Sequence, residues 1–213
     1  MITLLNCSYR GEKSNSNYFL GLLENMISHD CTRKNLNQIK DISSFAQELG
    51  KSQALVLGMP LYVDSAPAQV VELLEGLYRE SHGRFDGLKV YVLTNLGFYE
   101  GEQADMLLEI VKNFCDKAGL VYGGSVAVGA GEMLGSLRNV PVDKGPNKML
   151  GEKLAILADH INKGASVENS VVKPSGFSRR LYMLAGNMSW APNAKRNGVK
   201  KKDIRCKREF CSE

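Results

Sequence analysis

The five cysteines of this 213-residue chain (Cys7, Cys31, Cys115, Cys206 and Cys211) are odd in number, widely scattered and never in a CxxC spacing. That pattern speaks against a disulfide framework and against an iron–sulfur or zinc ribbon. The three histidines, His29, His82 and His160, fall far apart, so neither a zinc-protease helix nor a histidine-based metal site can be read. No apolar stretch approaches the length of a membrane span, and the N-terminus opens on a core-like strand instead of a cleavable signal. A cytoplasmic protein with no metal and no membrane partner is therefore expected. Nucleotide motifs are missing as well. No GxxxxGK loop occurs, which leaves triphosphate hydrolysis without support, and no GxGxxG follows the first strand, which disfavours a Rossmann dinucleotide cradle. GxSxG is also absent.

What is present is ordinary in bulk: 44% hydrophobic and 23% charged residues, enough for a full core in one domain with an appendage. The net charge of +4 is uneven. Residues 194–213 hold eight Lys/Arg against Asp203, Glu209 and Glu213, whereas the remaining 193 residues balance 19 basic against 20 acidic groups. A basic tail on a neutral body can touch nucleic acid, but this one has neither interleaved aromatics nor zipper heptads, so no nucleic-acid partner is expected. A solvated tail, or one docking near a phosphorylated cofactor, is the better reading. Cys206 and Cys211 could form a redox pair there, although solvent-facing thiols on a tail are the plainer alternative.

Periodicity and breakers predict an alternating series. Strands are expected near residues 2–6, 33–39, 53–58, 89–94 and 120–128, with helices near 14–28, 43–49, 66–79, 102–118 and 148–162. The continuous apolar run Gln53–Gly58 marks a strand buried on both faces. Residues 163–174 read as a linker, and a further helix is expected from Ser175 to Trp190. Five strands alternating with five helices predict an α/β fold, a doubly wound five-stranded parallel sheet with helices on both faces, plus a helical and basic C-terminal extension.

In such a sheet the ligand crevice lies beyond the carboxyl ends of the strands. The loop after the first strand, Cys7-Ser8-Tyr9-Arg10-Gly11-Glu12-Lys13-Ser14-Asn15-Ser16, carries hydroxyls, an amide and a guanidinium into a helix N-terminus. Unpaired amides and the helix dipole there attract an anion, and Ser8, Arg10, Ser14 and Ser16 could complete a cradle for a phosphate monoester. The same residues would also make an ordinary capped turn. After the third strand, Pro60-Leu61-Tyr62-Val63 and Pro67 form a stiff, partly apolar wall suited to the edge of a flat ring. After the fourth, Asn95-Leu96-Gly97-Phe98-Tyr99 offers an amide, a close backbone approach and stacking faces. The Gly129-Ala130-Gly131-Glu132 turn after the fifth strand is permissive, with little signal of its own.

Asn6-Cys7-Ser8-Tyr9-Arg10 with Ser14-Asn15-Ser16 is similar to the N-G-S-P-R…S-x-S/T phosphate loop of the NADPH-dependent FMN reductase-like branch of the flavodoxin-like superfamily. Pro60-Leu61-Tyr62 with Pro67-Ala68-Gln69 resembles that family's P-x-Y…P-x-Q segment beside the flavin. The resemblance covers about residues 1–165, a flavodoxin-like FMN-binding domain, and leaves 166–213 as the extension. Cys7 stands where the family usually has glycine, and Tyr9 where it usually has proline. The resemblance implies FMN with its phosphate on Ser8, Arg10, Ser14, Asn15 and Ser16. The ring would lie between Pro60, Leu61, Tyr62 and Val63 on one side and Asn95, Leu96, Gly97 and Phe98 on the other. Backbone N–H groups of the Asn95–Gly97 turn would stabilise the reduced ring. It further implies NADPH or NADH as co-substrate, a small-molecule electron acceptor, a homodimer and no catalytic side chain. A flavodoxin-type electron carrier without nicotinamide binding is the alternative, and a cofactor-less scaffold a third. Flavodoxins are usually strongly acidic, so the neutral body and basic tail favour the enzyme.

Overall fold

The computed structural model describes residues 1–204, which fall into two compact units, Met1–Gly176 and a second from Phe177 onward. In chain order the first unit comprises β1 (Ile2–Asn6), α1 (Asn15–Glu24), β2 (Cys31–Asn35), α2 (Ile42–Leu49), β3 (Ala54–Pro60) and α3 (Ala68–Glu80). It continues with β4 (Lys89–Asn95), α4 (Asp105–Ala118), β5 (Val121–Val128), α5 (Gly131–Ser136), α6 (Lys148–Asn162) and β6 (Ser170–Val172). The strands form one all-parallel sheet in the order β2-β1-β3-β4-β5-β6. The chain winds from β1 outward to β2, then returns to β3 and proceeds the other way, so the winding reverses between β1 and β3. That is the flavodoxin-like order, with its crevice at the switch point.

Side-chain alternation along each strand sends residues to two separate cores. Leu5, Leu55, Leu57, Met59, Val90 and Val92 pack against α2, α3 and α4 on one face. Ile2, Leu4, Val56, Tyr91, Leu93, Val126 and Val128 pack against α1 and α6 on the other. Burial on both faces explains why β3 and β4 read as near-continuous apolar runs. Arg33 ties the edge strand β2 to α1, donating to the Asn17 carbonyl at 2.7 Å and pairing with Glu24 at 3.2 Å.

The sheet has six strands, not the five expected. Residues 163–174, expected as a linker, contain β6, which pairs with β5 in the register Val126↔Ser170, Ala127↔Val171 and Val128↔Val172. Three residues are too few to carry a periodic signal, and the strand is held by side-chain ties instead. Tyr122 and Ser125 hydroxyls donate to Asn169 Oδ1 at 2.8 and 3.0 Å, and the Val167 N–H meets the Gly123 carbonyl at 2.8 Å. The second strand is shorter than expected, since Leu36–Gln38 turns into a 3-10 helix, and α5 is a short helix where only a turn was read.

In the second unit α7 spans Arg179–Arg196, later than expected at both ends. The Ser175 hydroxyl is engaged with the Met149 N–H at the start of α6, so Ser178 takes the N-cap role and accepts from the Leu181 N–H. The helix then runs on through Pro192, past the expected end at Trp190. The remainder of the basic tail, with Cys206 and Cys211, lies outside the described residues. No helix among the described residues is long and apolar enough to cross a membrane.

One glycine sets the distance of α1 from the sheet. A Cβ on Gly58 of β3 would sit 2.4 Å from Leu20 Cδ1 of α1, well inside van der Waals contact. Because α1 carries the first loop's helix N-terminus, its seat on β3 fixes the height of that terminus above the sheet. Gly58→Val should lower unfolding free energy by about 1–3 kcal/mol, the usual cost of overpacking, as read from urea titrations.

Candidate functional site

The first loop is organised from below by Asn6, the last residue of β1, whose side chain is 2% exposed. Asn6 Nδ2 donates to the Gly11 carbonyl at 2.9 Å and to Asn35 Oδ1 at 2.8 Å. Its Oδ1 accepts from the Ser8 N–H at 3.2 Å and from the Ser14 hydroxyl at 3.4 Å. The loop therefore folds around one amide, with Gly11 supplying the left-handed backbone (φ 56°) at its crest. Ser14 caps α1: its Oγ accepts from the Asn17 N–H at 3.1 Å and donates to the Gly11 carbonyl at 2.7 Å. The hydroxyl proton of Ser14 is thus spent within the loop. The N–H groups of Asn15 and Ser16, the first two helical residues, have no partner within the helix.

Asn95, at the end of β4, joins three elements. Its Nδ2 donates to Ser16 Oγ at 2.7 Å and to the Met59 carbonyl at 3.3 Å, while its own carbonyl accepts from the Leu61 N–H at 2.9 Å. With its oxygen occupied by Asn95, the Ser16 hydroxyl keeps its proton to donate. Leu96 is fixed in turn, its N–H on the Val128 carbonyl at 3.1 Å and its carbonyl accepting from Gly131 at 2.7 Å. The Leu96 N–H is therefore not available to a ligand, contrary to the expectation for this turn.

These ties bring three loops onto a single cavity. Ser8, Arg10, Ser14, Asn15 and Ser16 line it from the first loop, Pro60, Leu61 and Tyr62 from the second, and Asn95, Leu96 and Gly97 from the third. Glu132, from the first turn of α5, completes the lining. Arg10 is exposed at the mouth and forms no ion pair among the described residues. Asn15 also reaches α5, donating to the Gly131 carbonyl at 3.3 Å.

Val63 and Phe98 do not line the cavity. Tyr62 and Ser65 exchange backbone hydrogen bonds across a two-residue turn in which Val63 (φ 49°) and Asp64 (φ 56°) are both left-handed. That primed turn points Val63 to solvent, where it is 97% exposed. Phe98, also expected at the ring, is 58% exposed, and its carbonyl is held by the Ala130 N–H. Two contributors went unread. Asn6 belongs to the recognised motif but acts from beneath the loop, and Glu132 lies in the glycine-rich turn whose signal was weak alone. Cys7, beside the cradle, is fully buried, and desolvation pushes its thiol well above the ordinary range. It is a packing residue, not a nucleophile.

Neither a protein-family model nor a curated protein matches the chain. Solved structures do. An NADPH-quinone reductase from P. pentosaceus superposes with a TM-score of 0.55 at 15% identity, covering 76% of this chain and 97% of that one. An azoreductase from Bacillus anthracis gives 0.53 at 14% identity over 76% and 98% of the two chains. A flavodoxin from Streptococcus pneumonia gives 0.51 at 12% identity over 76% and 99%. At these identities the likeness establishes the fold, and it is the flavodoxin-like fold that the sequence resemblance implies.

A β-branched residue in the left-handed region is strained by roughly 1–3 kcal/mol. Replacing Val63-Asp64 with Asn-Gly, the pair this turn type prefers, should raise the unfolding free energy by about 1–2 kcal/mol. A lower melting temperature in calorimetry would show that the turn geometry is otherwise.

Proposed function

We propose that this chain is a flavin-dependent oxidoreductase that holds FMN at the mouth of the switch point. It would use NADPH or NADH to reduce a small-molecule acceptor such as a quinone, a flavin or a nitro compound. One observation carries the reading: a cradle of hydrogen-bond donors at the start of α1 and a partly apolar wall from two further strand ends line the same cavity. The donor set suits a phosphate monoester. The Asn15 and Ser16 N–H groups supply unpaired helix donors, Ser8 and Ser16 supply hydroxyls, and Arg10 supplies a cation with no acidic partner among the described residues. Glu132 is the one acid in the lining, so an anion is favoured toward Arg10 and α1 and disfavoured toward α5.

Bound flavin would supply the redox chemistry, taking hydride from the nicotinamide and passing electrons on; the chain binds, orients and tunes it. Pro60, Leu61 and Tyr62 would form one side of the ring's seat, and Leu96 and Gly97 the other. Asn95 is a positioning residue, since its side-chain donors are spent on Ser16 and Met59. No side chain in the lining need exchange a proton, because a nearly fixed donor set and an apolar wall suffice for hydride chemistry.

Tyr9, Tyr62, Val63 and Phe98 leave large apolar groups exposed on the three loops that frame the cavity. A second copy of the chain covering that rim would remove them from water, which supports a homodimer. Free thiols at Cys7, Cys31 and Cys115 fit a reducing compartment, supporting the cytoplasm. An electron carrier is the competing reading. The near-neutral body, 19 basic against 20 acidic groups outside the last twenty residues, lacks the acidic surface such carriers use to meet basic partners.

Arg10→Ala combined with Ser8→Ala should weaken FMN binding by about ten- to a hundredfold, the worth of one or two charge-assisted hydrogen bonds. Riboflavin, lacking the phosphate, should change less than about threefold on the same scale. Equal losses for both ligands, measured by fluorescence quenching, would remove the phosphate from the cradle. Under anaerobic conditions NADPH or NADH alone should bleach the yellow protein. Flavin that persists until a partner reductase is added would identify a carrier.

A further inference from the structure

The second unit has a charge pattern that a flavin site does not use. From Phe177 to Lys202 the chain carries seven Lys/Arg and no Asp or Glu. Arg179 and Arg180 stand at the start of α7, Lys195 and Arg196 at its end, and Lys200 to Lys202 follow directly. Between Arg180 and Lys195 lie fourteen uncharged residues, about 21 Å of helix at 1.5 Å per residue. No residue of α7 is buried. Leu181, Leu184 and Met188, spaced i, i+3 and i+7, share one side of it with the small Ala185 and Ala191. The three large side chains are 48%, 56% and 69% exposed. Met183 and Trp190, seven residues apart, stand off that stripe. The flavodoxin-like fold does not call for such a segment, since 76% of this chain already matches 97%, 98% and 99% of the three solved structures above.

The charges decide what can cover the stripe. A second copy of α7 would bring two acid-free, basic helices together with nothing to offset their repulsion. Nucleic acid is met by cations along an element that tracks the phosphates, whereas here they bracket an apolar middle. An anionic lipid surface matches both features: the stripe enters the acyl boundary, and the cations at each end reach the headgroup phosphates. We propose that α7 and the lysines after it lie flat on an anionic lipid surface and tether the chain there. Attachment of this kind needs no spanning helix, and none among the described residues is long and apolar enough to span. The expectation of no membrane partner rested on spans and signals, which are a different mode of attachment. The anionic leaflet that faces the cytoplasm is the surface available to a cytoplasmic chain.

The full chain is sedimented with vesicles of phosphatidylcholine alone, and of phosphatidylcholine and phosphatidylserine at about two to one, in roughly 0.1 M salt. Binding should be at least about tenfold tighter to the anionic vesicles, and should weaken about tenfold or more at roughly 1 M salt. Lys195→Ala with Lys200→Ala and Lys201→Ala should weaken it by about ten- to a hundredfold. Leu184→Gln with Met188→Gln, which leaves the charge unaltered, should weaken it by about tenfold or more. All five side chains are exposed, so both variants should keep the parent's urea midpoint. Equal binding to the two vesicle types, or to neither, overturns the proposal, as does a basic-to-alanine variant that binds like the parent. A DNA duplex bound as tightly as the anionic vesicles would assign the segment to nucleic acid. Self-association lost in the glutamine variant, without vesicle binding, would assign the stripe to a second copy. Either result overturns the lipid assignment, and neither bears on the flavin reading, from which this proposal is independent.

Discussion

The side-chain amide of Asn6 is the constraint on which the site depends. It lies at the carboxyl end of β1, in register with Gly58 of β3 and Asn35 of β2, and is closed off from solvent. Both its nitrogen and its oxygen are spent on the loop above it and on β2. Each such bond is worth only about 0.5–1.5 kcal/mol net, but an unmade one leaves a buried polar group costing about 1–3 kcal/mol. The loop is therefore held in the form that caps α1 through Ser14 and turns the first helical amides outward. An anion site made from backbone N–H groups needs that order before the ligand arrives, because donors that must be assembled on binding contribute less.

Rigidity spreads from this point through a few short ties. Gly58 lets Leu20 of α1 press onto the sheet, and Asn95 binds the same helix terminus to the ends of β3 and β4. Leu96 is clamped between β5 and the turn before α5. The cradle side of the cavity is thus part of the sheet's own framework. The outer turn from Tyr62 to Ser65 is different in kind: it bonds to itself, carries two residues in the left-handed region and stands in solvent. On the proposed reading, a rigid end for the phosphate and a strained outer turn would suit a site that holds a cofactor firmly and still admits substrates at its open side.

Much of this was legible in the chain. Apolar runs of strand length and helical periodicity placed β1 to β5, and α6 falls on the residues expected. Polar and proline-rich loops at strand ends pointed to the crevice, and eleven of the thirteen residues expected to bind flavin line one cavity. What escaped has physical reasons. β6 is three residues long and is held by Asn169 and the sheet edge, which periodicity does not register. Val63 was placed on the wall by its neighbours, but its turn type depends on backbone geometry that valine ordinarily disfavours. Phe98 follows a glycine whose turn aims it outward. Glu132 reaches the cavity only because α5 starts beside β4's loop, a fact of strand order. Asn6 reads as one more strand residue until its four partners converge on it.

The most direct test of the central claim is the phosphorus NMR spectrum of FMN bound to the chain, followed from pH 5 to 8. A free phosphate monoester loses its second proton near pH 6. Donors from the helix terminus and Arg10 would hold the bound group as the dianion, so its resonance should stay at the dianionic position throughout. A resonance that titrates as it does for free FMN would show that the phosphate sits in water, and the cradle would then be only a well-capped turn.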